Sequence, residues 1–307
     1  FGMGKSIKKS EACSSPRQTT KAHRKGGNKQ KAKYSSSSGE VSRSLKHVRE
    51  RRSALQTTSP RASSSDNIGD LEIENLFNSK TISGFLSVNN SDTPNAKTLA
   101  ILLHGAGGGM NSANMVGYSQ LLFSLGLSVF RYTAKGNLEG RIRALKSVLA
   151  YFGGSNSSLE PEKILLLGHS MGSRVIGEVV ASFSPLASPM SYEKMDVTLP
   201  DMTVMINQII GLIFLSYPIH PDGKGGTIRD MGVFSRISLP TLFVIGTKDR
   251  MVSRQVLESR LKDQQAIDWN IREVEGQGHS LLMKSSNIID DACQTYVTEF
   301  VLDKLGK

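Results

Sequence analysis

Short apolar segments alternate with amphipathic segments along this 307-residue chain, from about residue 70 to its end. The inner short segments are apolar throughout rather than at every second position, which is typical of parallel strands that helices cover on both faces. The alternation predicts an α/β fold with a doubly wound, mostly parallel sheet. We expect strands at about 82–88, 98–104, 127–133, 163–168, 210–216, 241–246 and 267–274, and helices at about 112–125, 138–152, 171–183, 253–265 and 288–304.

A glycine-flanked serine follows one of these strands, in the pentapeptide Gly168-His-Ser-Met-Gly172. In an open α/β sheet, the loops that follow strands face the site. The spacing indicates a nucleophile elbow, a strained strand-to-helix turn that lifts the hydroxyl of Ser170 clear of the backbone. The amide of Met171 would then donate to an oxyanion from the helix N-terminus. His169 is interpreted as a filler of the elbow, and the alternative for the whole motif is a glycine-rich turn with an idle serine.

A nucleophilic serine needs a base, and that base needs an acid to orient it. Two later strand ends carry Asp249 and His279, in the chain order serine, acid, histidine that accompanies a nucleophile elbow. Both would project onto the same rim as Ser170, which predicts a triad of Ser170, Asp249 and His279. Asp222 and Asp230, on the preceding loop, are rival candidates for the acid.

A second oxyanion donor is expected after the strand at 98–104, where the chain reads His104-Gly-Ala-Gly-Gly-Gly109. Glycines let the backbone approach a substrate oxygen closely, and the amide of Ala106, or that of Gly107, is the predicted donor. Gly107 is also a candidate substrate contact. A phosphate cradle fits the segment less well, because the dinucleotide fingerprint needs another glycine spacing and an acidic residue about 20 positions later.

Two further side chains are candidates for contact with a substrate. His220 lies on the loop after the strand at 210–216, where it either touches substrate or is an ordinary polar loop histidine. Arg174 lies one turn along the elbow helix from Ser170. It binds either an anionic group of the substrate or an acidic partner beneath the elbow, and a structural ion pair is the commoner use of such an arginine.

Four motifs occur together in this chain: His104-Gly-Ala-Gly-Gly, Tyr132-Thr-Ala-Lys-Gly136 followed by Arg141-Ile-Arg-Ala-Leu-Lys-Ser-Val148, Gly168-His-Ser-Met-Gly-Ser-Arg174, and Ser216-Tyr-Pro-Ile-His220. In combination they resemble one branch of the α/β-hydrolase superfamily. That branch contains the testis-expressed hydrolase-like proteins and the hydrolase-like domain of the regulatory subunit of the NSL histone-acetyltransferase complex. The resemblance covers about residues 70–305. It implies the doubly wound fold of the α/β-hydrolase type, a small or absent lid and a nucleophile at Ser170.

Two functional hypotheses follow from the residues and the resemblance. The first is a serine hydrolase that acts on an ester, thioester or amide. The loop from Tyr217 to Ser238 is about twenty residues long, which is short for a cap domain and favours a small or extended acyl substrate over a bulky buried lipid. Because some members of the branch resemble non-enzymatic parts of chromatin complexes, the second hypothesis is a non-catalytic, hydrolase-like scaffold in a nuclear complex.

Positive charge is concentrated at the beginning of the chain. Residues 1–65 hold 16 Lys plus Arg against 3 Glu, a balance of +13, whereas the remaining 242 residues hold 22 against 24 Asp plus Glu. The segment is rich in serine and lacks periodic apolar residues, so it cannot bury enough apolar surface to order itself. We predict a disordered basic tail over residues 1–69 and one domain over residues 70–307. The tail either contacts a protein complex or a polyanion, or is simply solvated.

The cysteine content and the hydropathy bear on the cellular compartment. Cys13 and Cys293 cannot make a disulfide framework, which indicates a reducing, intracellular compartment, either cytoplasmic or nuclear. No apolar run reaches the ~20 residues of a membrane helix, so we expect no membrane span, and no signal peptide is visible. The sequence offers no metal-binding constellation, and the expected chemistry needs no cofactor.

Overall fold

The computed structural model describes residues 68–306, apart from residues 79, 92, 94, 155, 156, 158, 185–205, 222–226 and 267. The predicted disordered tail, residues 1–69, therefore lies outside the described residues except for its last two positions. Those two positions belong to a strand that the sequence analysis did not predict.

The described residues contain eight strands, five α-helices and one short 3-10 helix. The strands are β1 (Ile68–Glu74), β2 (Thr81–Ser87), β3 (Thr98–Leu103), β4 (Ser128–Tyr132), β5 (Lys163–His169), β6 (Ile209–Leu215), β7 (Thr241–Gly246) and β8 (Trp269–Val274). The helices are α1 (Ala113–Ser124), α2 (Leu138–Gly153), α3 (Met171–Ser182), α4 (Arg254–Asp263) and α5 (Asp291–Leu305), and the 3-10 helix covers Gly232–Arg236. Each predicted element is present, and its ends lie within three residues of the predicted ones.

The strands form one sheet in the order β1-β2-β4-β3-β5-β6-β7-β8. From β4 to β8 all neighbours are parallel, whereas β1 pairs antiparallel with β2, and β2 pairs antiparallel with β4. The predicted doubly wound, mostly parallel sheet is confirmed.

Helices cover both faces of this sheet, and the strands supply apolar side chains to each face. Leu99 and Ile101 of β3 belong to a core with residues of α2, α3 and α4. Ala100 and Leu102 face the opposite core, with residues of α1 and α5. All four are fully buried. Burial on both faces explains why the inner strands are continuously apolar.

The direction of chain progress reverses at β3. The connection from β3 through α1 leads to β4 on one side, and the connection through α2 then leads to β5 on the other side. A reversal of this kind opens a crevice at the carboxyl ends of neighbouring strands. Here the two neighbouring strands are β3 and β5. Leu103, the last residue of β3, pairs with Gly168 of β5, so the loops that follow these strands start side by side.

The described part of the connection between β6 and β7 contains no α-helix that could act as a lid. Its 3-10 helix packs inward instead: Phe234 is buried, with its ring 5.2 Å from that of Tyr217 and 6.1 Å from that of Phe214. Among the described residues, no helix is long and apolar enough to cross a membrane.

Candidate active site

The turn between β5 and α3 holds Ser170 in a strained backbone conformation, with φ 52° and ψ −112°. Positive φ is uncommon for a residue with a side chain and is often found at functional sites. The flanking glycines make the turn sterically feasible. A Cβ on Gly168 would lie 2.5 Å from the backbone of Gly172, and a Cβ on Gly172 would overlap the carbonyl oxygen of Leu103.

The structure brings Ser170, His279 and Asp249 together in one chain of hydrogen bonds. The Oγ of Ser170 lies 2.8 Å from Nε2 of His279, and Nδ1 of His279 lies 2.8 Å from Oδ2 of Asp249. When the imidazole is neutral, its Nδ1–H donates to the carboxylate and its Nε2 accepts from the serine hydroxyl. Hydrolases that use a Ser-His-Asp triad connect the three side chains in the same order.

The carboxylate of Asp249 is fixed from two sides. Its side chain is fully buried, and its Oδ1 accepts a hydrogen bond from the amide of Met251 at 2.8 Å. The rival acid Asp230 accepts instead from the amide of Gly232, and it is exposed. The other rival, Asp222, lies outside the described residues.

His169 has a contact that the sequence analysis missed. It is buried as expected, but its Nε2 lies 2.8 Å from the backbone carbonyl oxygen of His279, to which it must donate. Burial lowers the pKa of His169 to about 4, so the ring is neutral at physiological pH. Nothing in the sequence pairs residues 110 positions apart, and only the fold brings them together.

The loop after β3 is held from behind by Arg141 of α2, another residue that the sequence analysis did not single out. Its guanidinium donates to the carbonyl oxygens of His104 and Gly105 at 3.3 Å each, and of Ala106 and Gly136 at 3.2 Å each. Burial lowers the pKa of Arg141, but a guanidinium remains charged at neutral pH. One buried cation therefore fixes the orientation of three successive peptide groups.

His104 stabilises the same loop with both of its ring nitrogens. Nδ1 donates to the carbonyl oxygen of Gly105 at 2.6 Å, and Nε2 accepts from the amide of Ala134 at 3.0 Å. Burial lowers the pKa of His104 as well. The neutral tautomer with the proton on Nδ1 is the one that satisfies both contacts.

These contacts determine where the amide of Ala106 points. In a trans peptide group the N–H and the preceding C=O point in opposite directions. Because the carbonyl of Gly105 points at Arg141 and His104, the N–H of Ala106 points away from both. The loop lies against the elbow at this point, since a Cβ on Gly105 would be 3.3 Å from the Cβ of Ser170.

Met171 supplies a second backbone N–H next to the serine. It is the first residue of α3, where an N–H has no acceptor within the helix. The positive end of the helix dipole also favours negative charge at this position. The N–H groups of Ala106 and Met171 thus belong to the two segments that lie next to Ser170.

The two predicted substrate contacts occupy different surroundings. Gly107 is exposed, and a Cβ there would meet nothing within 4 Å. His220 is only 5% exposed. Its Nδ1 donates to the carbonyl of Thr227 at 3.1 Å, and its amide donates to the carbonyl of Met251 at 2.9 Å. His220 therefore links its own loop to the loop that carries Asp249.

Within residues 68–306 as far as the structure describes them, Arg174 does not form the structural ion pair that we expected. Among the described residues no salt bridge involves it, and its Nη1 lies 3.7 Å from the sulfur of Met171. The part of the chain that the structure describes also holds no group of three or more His, Cys, Asp or Glu side chains arranged to bind a metal.

Comparison with known proteins gives one family match and many similar folds. A family model described as an alpha/beta hydrolase domain matches residues 96–300. The esterase Pf2001 from Pyrococcus furiosus is 16% identical, with a TM-score of 0.57 over 80% of this chain and 97% of its own. Est1E from Butyrivibrio proteoclasticus is 16% identical, with a TM-score of 0.57 over 78% of this chain and 100% of its own. An alpha-beta serine hydrolase homologue from Coxiella burnetii is 17% identical, with a TM-score of 0.52 over 80% of this chain and 100% of its own.

Proposed function

Because the chain belongs to the alpha/beta hydrolase domain family, we propose that it is a serine hydrolase that cleaves an ester, thioester or amide through an acyl-enzyme intermediate. The observation that carries the proposal is the unbroken hydrogen-bond chain from Ser170 through His279 to Asp249, with both contacts at 2.8 Å. A strained serine, a base within reach of its proton and a buried acid behind the base are the parts that nucleophilic catalysis requires.

Acylation begins when Nε2 of His279 takes the proton of Ser170 and the serine oxygen attacks the substrate carbonyl carbon. Asp249 stabilises the imidazolium that forms and keeps the ring in its orientation. The carbonyl oxygen becomes an oxyanion, which accepts hydrogen bonds from the amides of Ala106 and Met171. The intermediate collapses when His279 gives its proton to the leaving group, and the acyl group stays on Ser170.

Deacylation repeats these steps with water as the nucleophile. His279 takes a proton from the water, the hydroxide attacks the acyl carbon, and the same two amides hold the second oxyanion. The proton then returns to Ser170, and the carboxylic acid leaves. No step uses a metal or a cofactor, because the proton moves between side chains that already touch.

The surroundings of the serine favour a small or extended acyl substrate. The backbone at residues 106–108 is exposed to solvent, and the described part of the connection after β6 packs inward against Tyr217. We assign the activity to the domain of residues 70–307 and give the basic residues 1–69 no part in the chemistry. The four motifs further suggest the branch of the testis-expressed hydrolase-like proteins.

Labelling with a fluorophosphonate probe tests the proposal, because the probe reacts only with an activated serine. Wild-type protein should be labelled, and Ser170→Ala should not be. Ser124→Ala is the matched control, since that serine is exposed at the end of α1 and its hydroxyl donates to a carbonyl of its own helix. Folded wild-type protein that is not labelled would contradict the proposed function.

A further inference from the structure

Arg174 lies next to the proposed oxyanion hole and forms no salt bridge in the part of the chain that the structure describes. It is half-buried on the first turn of α3, and its Nη1 is 3.7 Å from the sulfur of Met171. Glu178, one turn further along α3, is close enough to influence Arg174 electrostatically but forms no ion pair with it. Burial raises the pKa of Glu178, whereas the charges of Arg174 and Arg236 lower it.

A second arginine, Arg229, lies on the loop that follows β6. Its amide donates to the carbonyl of Ile219 at 2.9 Å, and the amide of Ile219 in turn donates to the carbonyl of Met251. Met251 is the residue whose amide holds Asp249. Hydrogen bonds therefore connect the backbone of Arg229 to the loop of the triad acid.

The Nε of Arg229 is buried and has no hydrogen-bond partner in the described part of the chain. A buried donor without a partner is costly, and such an atom in a functional region calls for an explanation. Within the same described residues Arg229 forms no salt bridge. The side chain thus has a donor that no described residue satisfies.

The charge of Arg174 acts on Arg229, and both arginines act on a shared neighbour, Tyr217. Burial, and to a smaller extent the charge of Arg174, lower the pKa of Arg229. Burial raises the pKa of the Tyr217 phenol, on which both arginines and the carboxylates of Glu178 and Asp230 also act. Within the residues that the structure describes, neither arginine forms a salt bridge with these carboxylates. Arginine suits a carboxylate ligand because its planar fork donates two parallel hydrogen bonds.

We propose that Arg174 and Arg229 form a subsite for an anionic group of the substrate whose carbonyl is attacked by Ser170. The substrate class is then an ester, thioester or amide that carries a carboxylate or similar anion on one side of the scissile bond. This inference rests on the proposed function, because the bound anion is part of a substrate only if the protein is a hydrolase. Of the two roles that the sequence left open for Arg174, it assigns the contact with an anionic group of the substrate.

Two matched pairs of esters test the subsite on the full chain. In the first pair the charge is on the acyl side: p-nitrophenyl hemiglutarate is compared with its methyl ester. In the second pair the charge is on the leaving-group side: 4-acetoxybenzoate is compared with methyl 4-acetoxybenzoate. We expect a higher kcat/KM for the anionic member of one pair, and that pair identifies the side of the bond that faces the arginines.

The arginines should account for this preference. Arg174→Gln and Arg229→Gln are each expected to lower the ratio of kcat/KM between the anionic and neutral esters roughly tenfold to a hundredfold, mainly through KM, because a charged hydrogen bond is lost. Arg174→Lys keeps the charge and should recover part of the ratio. Arg260→Gln is the matched control: it also removes one positive charge, from an exposed pair with Asp263 on α4.

Two results would overturn the subsite: wild-type protein that hydrolyses both members of each pair equally well, or variants with a wild-type ratio and a wild-type unfolding temperature. Calorimetric binding of glutarate to the Ser170→Ala chain separates this proposal from the proposed function. Glutarate binding that Arg174→Gln abolishes, in a protein that hydrolyses no ester, retains the subsite and rejects the hydrolase. Hydrolysis of neutral esters without glutarate binding or charge preference rejects the subsite alone.

Discussion

The ring of His169 donates a hydrogen bond to the backbone carbonyl of His279 at 2.8 Å, with the ring centroids 5.3 Å apart. The residue before the strained serine thus holds the loop that presents the base. Because His169 and Ser170 are consecutive, this hydrogen bond joins the elbow to His279 a second time, beside the 2.8 Å contact between Oγ of Ser170 and Nε2 of His279.

Replacement of His169 by leucine should reduce catalysis more than binding. Without the donor, the loop of His279 loses its anchor, and a misplacement of about 1 Å can cost about a hundredfold in rate. We expect kcat of His169→Leu to fall roughly tenfold to a hundredfold with little change in KM. His169→Gln keeps a donor near the position of Nε2 and should recover much of the loss. Equal kcat values for the leucine variant and the wild type would contradict this role.

The stability of the protein should fall as the pH is lowered from about 6.5 to 4. The pKa of His169 is about 4 in the folded protein and about 6.5 in an unfolded chain. The unfolded state therefore binds more protons in this window, so stability is complete above pH 6.5 and is lost as the pH falls. The difference corresponds to about 3 kcal/mol for this residue, and His104 contributes in the same direction.

Urea unfolding at several pH values measures this loss. His169→Gln cannot take up a proton, so its free energy of unfolding should depend less steeply on pH between 4 and 6.5 than that of the wild type. If the two proteins show parallel pH dependence, His169 is not the group responsible.

Arg141 should act on catalysis through the loop after β3, which carries the proposed oxyanion donor Ala106. Glutamine at this position leaves the carbonyls of His104, Gly105 and Ala106 without their shared donor, and the amide of Ala106 loses its fixed direction. Since one oxyanion donor contributes about a hundredfold to a thousandfold in kcat, Arg141→Gln should lower kcat by roughly a hundredfold. Affinity for a boronic acid, which mimics the tetrahedral intermediate, should fall in parallel.

Arg143→Gln is the control for that experiment. Arg143 lies two residues further along α2, where it is exposed and pairs with Glu139. Its loss should leave kcat and boronate affinity unchanged. If Arg141→Gln binds the boronate as tightly as the wild type does, the conformation of the loop after β3 does not depend on this guanidinium.

Gly172→Ala should destabilise the protein by about 3 kcal/mol or more. The new Cβ would overlap the backbone of Leu103, and no side-chain rotation can relieve an overlap with backbone atoms. Gly177→Ala is the matched control on the same helix. Its Cβ would lie 3.8 Å from Val233, an ordinary contact, and alanine favours helix over glycine by up to about 1 kcal/mol. Similar unfolding free energies for the two variants would show that the close approach at Gly172 is not a constraint.

The sheet could be predicted from the sequence, and so could the three side chains that the structure brings into contact, Ser170, His279 and Asp249, because local patterns encode both. Continuous apolar segments mark inner strands, and the elbow pentapeptide marks a strand-to-helix turn. Strand β1 was missed for the same reason: it alternates, with Asp70, Glu72 and Glu74 at every second position, as suits an antiparallel edge strand. The contacts of Arg141 and His169 could not be predicted, since each joins elements far apart in the chain that meet only when the sheet is assembled.

Peptide mapping by mass spectrometry after fluorophosphonate treatment tests the central claim most directly, because it identifies the atom that acts as nucleophile. The account predicts one adduct per chain, on the peptide that contains Ser170, and no adduct in His279→Ala protein treated for the same time. An adduct on another serine, or folded wild-type protein without any adduct, would contradict it.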